Sequence, residues 1–172
     1  FPLLFYRKDI FNKLGLSVPK TWDDFYETVA VLQKSNLTVG VTWTEMFNLM
    51  LYQSGGSYYN DERNASVLDE YVALDSFAKT LKFYKEYDLP VEFNFANRFR
   101  SGDMPMGIVS YMTYNQLYLF APEISGLWEF TSVPGVMDEN GNINNSVLAS
   151  GTGAVILKNT SDKNIAWDFL KW

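Results

Sequence analysis

The 172-residue chain is long enough to bury a substantial core, since 47% of its residues are hydrophobic and 17% are aromatic. Its formal charge of −6, from 14 basic and 20 acidic side chains, argues against nucleic acid or another polyanion as its partner. Cysteine and histidine are both absent, which excludes disulfides, thiol nucleophiles, imidazole bases and Cys/His metal sites. We therefore expect a globular protein without a metal ion or a cofactor.

The ends of the sequence predict a piece of a longer protein. The first residue is Phe1 rather than Met, and no charged and apolar leader follows it. No apolar run approaches the roughly 20 residues of a membrane span. We expect an excised segment, so the missing leader carries no information about the cellular compartment.

The first half of the chain alternates short apolar runs with stretches of helical periodicity. Thr21 and Asp24 have the spacing of a capping box, and Asp9 is a candidate cap for a short helix that ends at Gly15. In chain order, we predict a strand over 1–6, helices over 9–14 and 22–35, a strand over 38–42, a loop over 43–45 and a helix over 46–52.

The longest helical pattern covers 69–87, where a stripe of apolar residues predicts the face that packs on the core. The stripe contains Tyr71, Leu74, Phe77, Ala78, Leu81 and Tyr84, with Val72 and Phe83 at its margins. Beyond it we predict a helix near 95–100, a strand over 104–110, a helix over 111–120, a strand over 128–133 and a hairpin turn at 138–142. This alternation predicts an α/β layer fold with helices covering a sheet.

The last stretch predicts a strand over 154–157, followed by an amphipathic helix. Ser161 is a candidate N-cap, and Ile165, Ala166, Phe169 and Leu170 fall on one stripe. The helical pattern is unfinished where the sequence stops, at Trp172. The stripe requires a surface to cover, which local pattern alone does not identify.

Five segments in order resemble the extracellular solute-binding proteins of the maltose-binding class, the receptors of ABC sugar importers. The longest, 5–25, contains a tyrosine, an Asn-Lys pair, a glycine, a proline and a Thr-Trp-Asp run. The others are Gly55-Gly56, the Phe99-to-Met106 segment around Ser101-Gly102, Val133-Pro134-Gly135, and the closing Lys158-to-Trp172 segment with its Ala166-Trp167-Asp168-Phe169-Leu170 core. Together they extend over nearly the whole chain.

The resemblance implies a type II periplasmic-binding-protein-like α/β fold, in which two lobes joined by crossing strands hold a ligand between them. The chain would be mostly one lobe, with helices packed on a short-stranded sheet. On this interpretation residues 1–147 form the second, C-terminal lobe, including the first hinge crossing at its start. Residues 148–172 would form the second hinge crossing, with its turn at 150–153, and then a strand and a helix that return toward the first lobe.

Two segments that follow predicted strands are candidate ligand sites, because cleft loops lie at the carboxyl ends of strands in open α/β sheets. The resemblance implies an acid and aromatic residues in the first segment and a stacking aromatic residue in the second. The candidates are Trp43, Thr44, Glu45 and Phe47 in the first, and Tyr111, Met112 and Tyr114 in the second. Aromatic rings pack on the apolar faces of sugars.

Each candidate segment also has a structural interpretation that the sequence leaves open. Trp43 would then be a core tryptophan and Glu45 a solvated acid. Tyr111 and Tyr114 would be aromatic residues at the start of a helix that packs on the core. Met112 occupies the position where the family often has a stacking tryptophan, a departure that weakens the case for a linear maltodextrin as the ligand.

The resemblance implies a non-catalytic receptor that binds a carbohydrate, expected to be an oligosaccharide, and delivers it to the permease subunits of an ABC importer. It would act at the extracellular face of the membrane or in the periplasm, held by a leader or lipid anchor outside this sequence. One alternative is a carbohydrate-active enzyme domain using paired carboxylates at Asp23-Asp24, Asp61-Glu62 or Asp138-Glu139. The other is a receptor of the same fold for a different solute.

Overall fold

A four-stranded mixed sheet forms the centre of the fold in the computed structural model, which describes residues 1–149, 151 and 153–172. Its strands are β1 (Pro2–Arg7), β2 (Val39–Val41), β3 (Met106–Ser110) and β4 (Trp128–Thr131), in the spatial order β2-β3-β1-β4. β1 is antiparallel to β3 and β4, whereas β2 and β3 are parallel. The carboxyl ends of β2, β3 and β4 and the start of β1 therefore lie at one edge.

Helices connect the strands, as the alternating pattern predicts. They are α1 (Lys8–Leu14), α2 (Trp22–Lys34), α3 (Trp43–Gln53), α4 (Tyr71–Lys85), α5 (Phe95–Ser101), α6 (Met112–Phe120) and α7 (Lys163–Lys171). A 3-10 turn at Pro122–Ile124 follows α6, and a small hairpin pairs β5 (Val136–Met137) with β6 (Ile143–Asn144). In the part of the chain that the structure describes, no helix has the length and apolar character needed to cross a membrane.

Buried residues form two clusters, one on each face of the sheet. On the first face, side chains such as Leu4 and Ile108 pack against α2, α3 and α4. On the second face, Phe5 and Val109 pack against α5 and α6. The fold is therefore a three-layer α/β sandwich, which confirms the predicted class.

Two glycines let α5 approach the second face closely. A Cβ on Gly40 would lie 3.0 Å from the Phe95 ring and 2.8 Å from the Met104 sulfur, and one on Gly107 would collide with the same ring. Gly40 and Gly107 are neighbours across the parallel pair of β2 and β3. The two glycines thus form a flat area of the sheet that accommodates the Phe95 ring.

The predicted capping box at the start of α2 is confirmed. The Thr21 hydroxyl accepts a hydrogen bond from the Asp24 amide, and the Asp24 carboxylate accepts one from the Thr21 amide. This contact with the Thr21 backbone lowers the pKa of the Asp24 carboxyl. Gly15 and Gly102 end α1 and α5 in the left-handed conformation, with φ of 66° and 89°.

Two predicted caps are wrong. Asp9 lies inside the first turn of α1, whose N-cap is Arg7, and its carboxylate binds the Arg7 guanidinium. Asp162 rather than Ser161 caps α7, and its carboxylate accepts hydrogen bonds from the amides of Asn164 and Ile165. A neighbouring acidic side chain takes the cap role at α7, whereas no side chain caps α1.

Arg7 ties three elements together from a buried position. Its Nε and Nη2 donate to the two carboxylate oxygens of Asp9, at 2.9 and 2.7 Å. Its Nη1 donates to the carbonyl oxygens of Phe99 and Arg100 at the end of α5, at 2.9 and 3.3 Å. The guanidinium therefore joins β1, α1 and α5.

The predicted core face of α4 is wrong. The buried residues of this helix are Ala73, Ser76, Thr80 and Phe83. Tyr71, Leu74 and Phe77 of the predicted stripe are 80%, 55% and 42% exposed. Burial on α4 follows its packing against α3 and the core cluster around Phe83 rather than the apolar pattern. Small residues and Phe83 fill the buried face, and Tyr71, Leu74 and Phe77 lie on the outer flank.

The predicted strand over 154–157 does not form. The segment 153–157 has no regular structure, and Val155 and Leu157 are exposed. A strand needs a neighbouring strand to complete its ladder of hydrogen bonds, and none pairs with this segment among the described residues. Ser150 and Thr152, in the predicted hinge turn, lie outside the described residues.

α7 forms as predicted but buries none of its residues. Ile165, Phe169 and Leu170, three members of its apolar stripe, are exposed, as are Trp167 and Trp172. The described residues therefore present an amphipathic helix whose apolar side chains face solvent.

Candidate functional site

The two predicted ligand segments leave the same edge of the sheet from adjacent strands. Val41 of β2 is paired with Ile108 of β3, so the residues after each strand begin side by side. Trp43 starts α3 immediately beyond β2, and Tyr111 precedes α6 immediately beyond β3. The topology therefore brings both segments to one edge, as the sequence predicts.

The first segment is a helix start rather than the predicted loop. α3 begins at Trp43, and Thr42 is its N-cap. The Thr42 hydroxyl donates to the Glu45 carboxylate over 2.8 Å. Thr42 and Glu45 have the spacing of a capping box, a signal in the sequence that identifies this boundary. Glu45 is thus held partly buried at the helix start, and the side chain of Thr44 lies outside the described residues.

Trp43 and Phe47 belong to a flank cluster with Phe77 and Tyr58. The Phe77 ring contacts Trp43 at 5.6 Å and Phe47 at 6.1 Å, both edge to face. Phe47 in turn meets Tyr58 edge to face at 6.0 Å. The four rings line an open cleft of about 560 Å³ between α3, α4 and the loop after α3. Trp43 remains 38% exposed.

The second segment forms a ladder of parallel rings. Tyr111 stacks between Phe1 and Tyr114 at 5.6 and 5.9 Å, with an interplanar angle of 9° in each pair. Tyr114 stacks in turn on Tyr118 at 6.0 Å. The Tyr111 amide donates to the Phe1 carbonyl oxygen over 3.0 Å, which joins the start of β1 to the start of α6.

The ladder is backed by the edge strand β4. The Tyr114 ring contacts Trp128 and Phe130 edge to face, at 5.9 and 5.8 Å. Tyr114, Tyr118, Trp128 and Phe130 also line an open cleft of about 750 Å³. The rings of the second segment therefore pack on β4 and border an open cleft.

The predicted site residues form two groups rather than one. The ring contacts of Trp43 are made with α4, on the first face of the sheet. Those of Tyr111 are made on the second face, with Phe130. Met112 starts α6 at the edge, where its side chain is 70% exposed. The edge therefore carries two aromatic walls, one on each face of the sheet.

The walls also contain aromatic residues that the sequence prediction does not include, among them Phe1, Tyr58 and Phe77. The Phe1 ring stacks on Tyr111, and the Tyr58 ring contacts Phe47. The Phe77 ring contacts both Trp43 and Phe47. Phe77 was predicted to face the core. No local pattern identifies these residues, because their partners lie 10 or more residues away along the chain.

The site offers aromatic rings for stacking and phenol hydroxyls for hydrogen bonding. Burial raises the pKa of the Tyr58 hydroxyl, with the neighbouring Tyr52 adding to the effect, and burial raises that of Tyr84. These phenols stay protonated at neutral pH and act as hydrogen-bonding groups. Across the described residues, no three acidic side chains converge in a geometry that could hold a metal ion.

The carboxylate pairs considered for an enzyme have structural surroundings. Asp24 caps α2, and Asp61 and Glu62 are exposed in the loop after α3. Asp138 accepts hydrogen bonds from the Asn140 and Asn142 amides and the Asn142 side chain, which hold the turn before β6 and lower the pKa of its carboxyl. Of the three pairs, Asp61 shares a cleft with Tyr58 of the flank cluster.

The whole chain, residues 1–172, matches the family model of the bacterial extracellular solute-binding proteins. No curated protein matches the sequence. Solved structures of solute-binding proteins superpose on nearly all of it, although the chain spans less than half of their length.

Three of these structures illustrate the likeness. A solute-binding protein of an ABC transporter from Thermotoga lettingae TMO, bound with α-D-tagatose, has a TM-score of 0.76 at 21% identity, covering 98% of this chain and 46% of that one. The sugar-binding protein MalE from Xanthomonas citri has a TM-score of 0.74 at 20% identity, covering 99% of this chain and 45% of that one. A solute-binding protein from Agrobacterium radiobacter K84, in complex with ribitol, has a TM-score of 0.70 at 20% identity, covering 99% of this chain and 46% of that one. The chain therefore has the fold of the periplasmic binding proteins.

Proposed function

Because the chain belongs to the bacterial extracellular solute-binding proteins, we propose that it is the ligand-binding part of an ABC importer receptor for a carbohydrate. The receptor binds its sugar without chemical turnover. It then delivers the sugar to the permease subunits in the membrane. The proposed location is the extracellular face of the membrane or the periplasm, consistent with the family's extracellular character.

The observation that carries the proposal is the aromatic character of the sheet edge. The rings of Trp43 and Tyr111 begin directly beyond β2 and β3, and both are part-exposed. Flat apolar rings with phenol hydroxyls suit the apolar faces and the hydroxyl groups of a sugar. Neither 43–47 nor 110–114 contains a lysine or arginine, which favours a neutral solute over an acidic one.

The chain would supply mainly the second lobe of a two-lobe receptor. We assign residues 1–147 to this lobe and 148–172 to the second hinge crossing and the return toward the first lobe. Two observations support the assignment: the chain spans less than half of the related solved structures, and α7 buries none of its residues. Ligand contacts with both lobes would drive closure by a hinge motion, and the permease would recognise the closed form of the receptor.

Trp43 provides a direct test of the binding site. In the full-length receptor, Trp43→Ala is expected to weaken sugar binding by at least about 1 kcal/mol, the scale of one specific aromatic contact. The measurement is isothermal calorimetry with the sugar that binds the unmodified receptor. A loss of this size would place the Trp43 ring against the ligand.

Phe120→Ala is the matched control for that measurement. Phe120 is an exposed ring at the far end of α6, away from the sheet edge, so its removal should leave the affinity unchanged. Circular dichroism and thermal unfolding would establish that both variants are folded. Unchanged affinity in a folded Trp43→Ala receptor would remove Trp43 from the site.

A further inference from the structure

The flank cluster continues outward from the sheet edge as a chain of ring contacts. It starts at Trp43, passes through Phe77 and Phe47 to Tyr58, and reaches Tyr52 at the end of α3. The successive ring centroids are 5.6, 6.1, 6.0 and 6.1 Å apart. The rings therefore form a continuous track along the outer flank of α3.

The chemistry of the track changes along its length. Its inner cleft, of about 560 Å³, is lined mainly by aromatic and aliphatic side chains and has no charged residue in its lining. A second cleft of about 610 Å³ shares Tyr58 with the first, and its lining adds Asn60, Asp61 and Arg63. Both volumes fall within the range of about 300–1,000 Å³ typical of small-molecule sites.

Polar groups within the inner cleft are few and oriented. The Tyr58 hydroxyl donates to the side-chain oxygen of Asn48, which directs the Asn48 amide nitrogen away from that bond. The Tyr58 oxygen keeps free lone pairs as well, since a phenol both donates and accepts. An apolar platform with a small number of fixed hydrogen-bonding groups is the composition expected for a neutral sugar chain.

We propose that this track, from Trp43 through Phe77, Phe47 and Tyr58 to Tyr52, binds the outer residues of an oligosaccharide whose first residues occupy the sheet edge. The proposal rests on the proposed carbohydrate receptor function and extends it to a ligand of several sugar units. The apolar track explains why Leu74 and Phe77 face outward on α4 while small side chains fill its buried face.

The test compares ligands of increasing length on the full-length receptor. Calorimetry with glucose, maltose, maltotriose and maltopentaose, and with the matching xylose and N-acetylglucosamine series, first identifies a series that binds. Phe77→Leu then removes the ring while keeping an apolar side chain in the cleft. We expect the affinity for the longest binding member to fall about five-fold or more, with the shortest binding member unaffected.

Two further variants make the result specific. Tyr58→Phe keeps the ring and removes the hydroxyl, and it should also weaken only the longer ligands. Tyr71→Ala removes an exposed ring from the same helix outside the cleft, and it should have no effect at any length. Thermal unfolding of each variant without ligand would confirm that the fold is retained.

The outcomes separate this proposal from the one on which it rests. If no neutral sugar of any length binds, the carbohydrate receptor function itself fails. If oligosaccharides bind but folded Phe77→Leu and Tyr58→Phe proteins show unchanged affinity at every length, the track is overturned. A loss of transport in cells with binding unchanged would overturn it as well and assign the flank cluster to a protein partner.

Discussion

Phe83→Ala is expected to destabilise the protein by about 4 kcal/mol, because it removes a large fully buried ring and leaves a cavity that its neighbours only partly fill. Phe83 is 0% exposed. Its ring meets Trp22 and Phe25 edge to face at 6.2 and 5.8 Å and stacks on Tyr26 at 5.1 Å. Urea unfolding followed by tryptophan fluorescence measures the change in the free energy of unfolding.

Leu74→Ala is the matched control on the same helix. Leu74 lies in the apolar stripe that the sequence places against the core, but its side chain is 55% exposed. Its removal should therefore change the free energy of unfolding by less than about 1 kcal/mol. A Leu74→Ala effect as large as that of Phe83→Ala would contradict the orientation of α4.

Arg7→Ala is expected to cost about 3 kcal/mol, since it leaves two carbonyl oxygens at the end of α5 and the Asp9 carboxylate without their charged partner. The side chain of Arg7 is 8% exposed. Lys8→Ala is the control, because the neighbouring Lys8–Glu129 pair lies at the surface and is expected to contribute about 1 kcal/mol or less. Equal effects of the two substitutions would contradict the structural role of Arg7.

The same ion pair predicts a pH dependence. The hydrogen bond from Arg7 is the main cause that lowers the pKa of the Asp9 carboxyl in the folded protein. The ion pair therefore stabilises the fold fully at pH values above the pKa of Asp in the unfolded chain, about 3.9. This stabilisation is lost as the pH falls through the lower folded pKa. The stability difference between the unmodified protein and Asp9→Asn should thus be greatest near neutrality and shrink below about pH 4. A difference independent of pH between 7 and 2 would contradict the contact.

Much of the fold is predictable from local sequence signals. The capping box at Thr21 and Asp24 and the glycine that ends α1 predict element boundaries that the structure confirms. Local patterns fail where two signals compete. On α4 an apolar stripe and a row of small residues occupy different faces of one helix, and the small residues are the buried ones. Periodicity alone does not reveal how closely a neighbouring helix approaches.

The sequence predicts where the two candidate segments lie in the sheet but not which distant rings pack beside them. The carboxyl ends of β2 and β3 could be located from the sequence because each follows a recognisable strand, and the structure brings them to one edge. The capping pair of Thr42 and Glu45 marks a helix start where the sequence prediction places a loop. Phe77 and Tyr58 join Phe47 only through the packing of distant segments.

α7 is a further case in which local pattern predicts the helix but not the surface on which it packs. An amphipathic helix is readily predicted from its spacing, whereas the surface that covers it depends on the rest of the fold. Ile165 and Phe169 face solvent among the described residues, which agrees with the proposal that 148–172 returns toward a first lobe. The predicted strand at 154–157 requires a neighbouring strand to form.

Calorimetric titration of neutral sugars into the full-length receptor and into this 172-residue chain tests the central claim most directly. The account predicts saturable binding of an oligosaccharide by the receptor at one site, no release of reducing sugar, and far weaker binding by the isolated chain. Hydrolysis of the ligand would show an enzyme instead. Equal affinity of the chain and the receptor would contradict a site shared between two lobes.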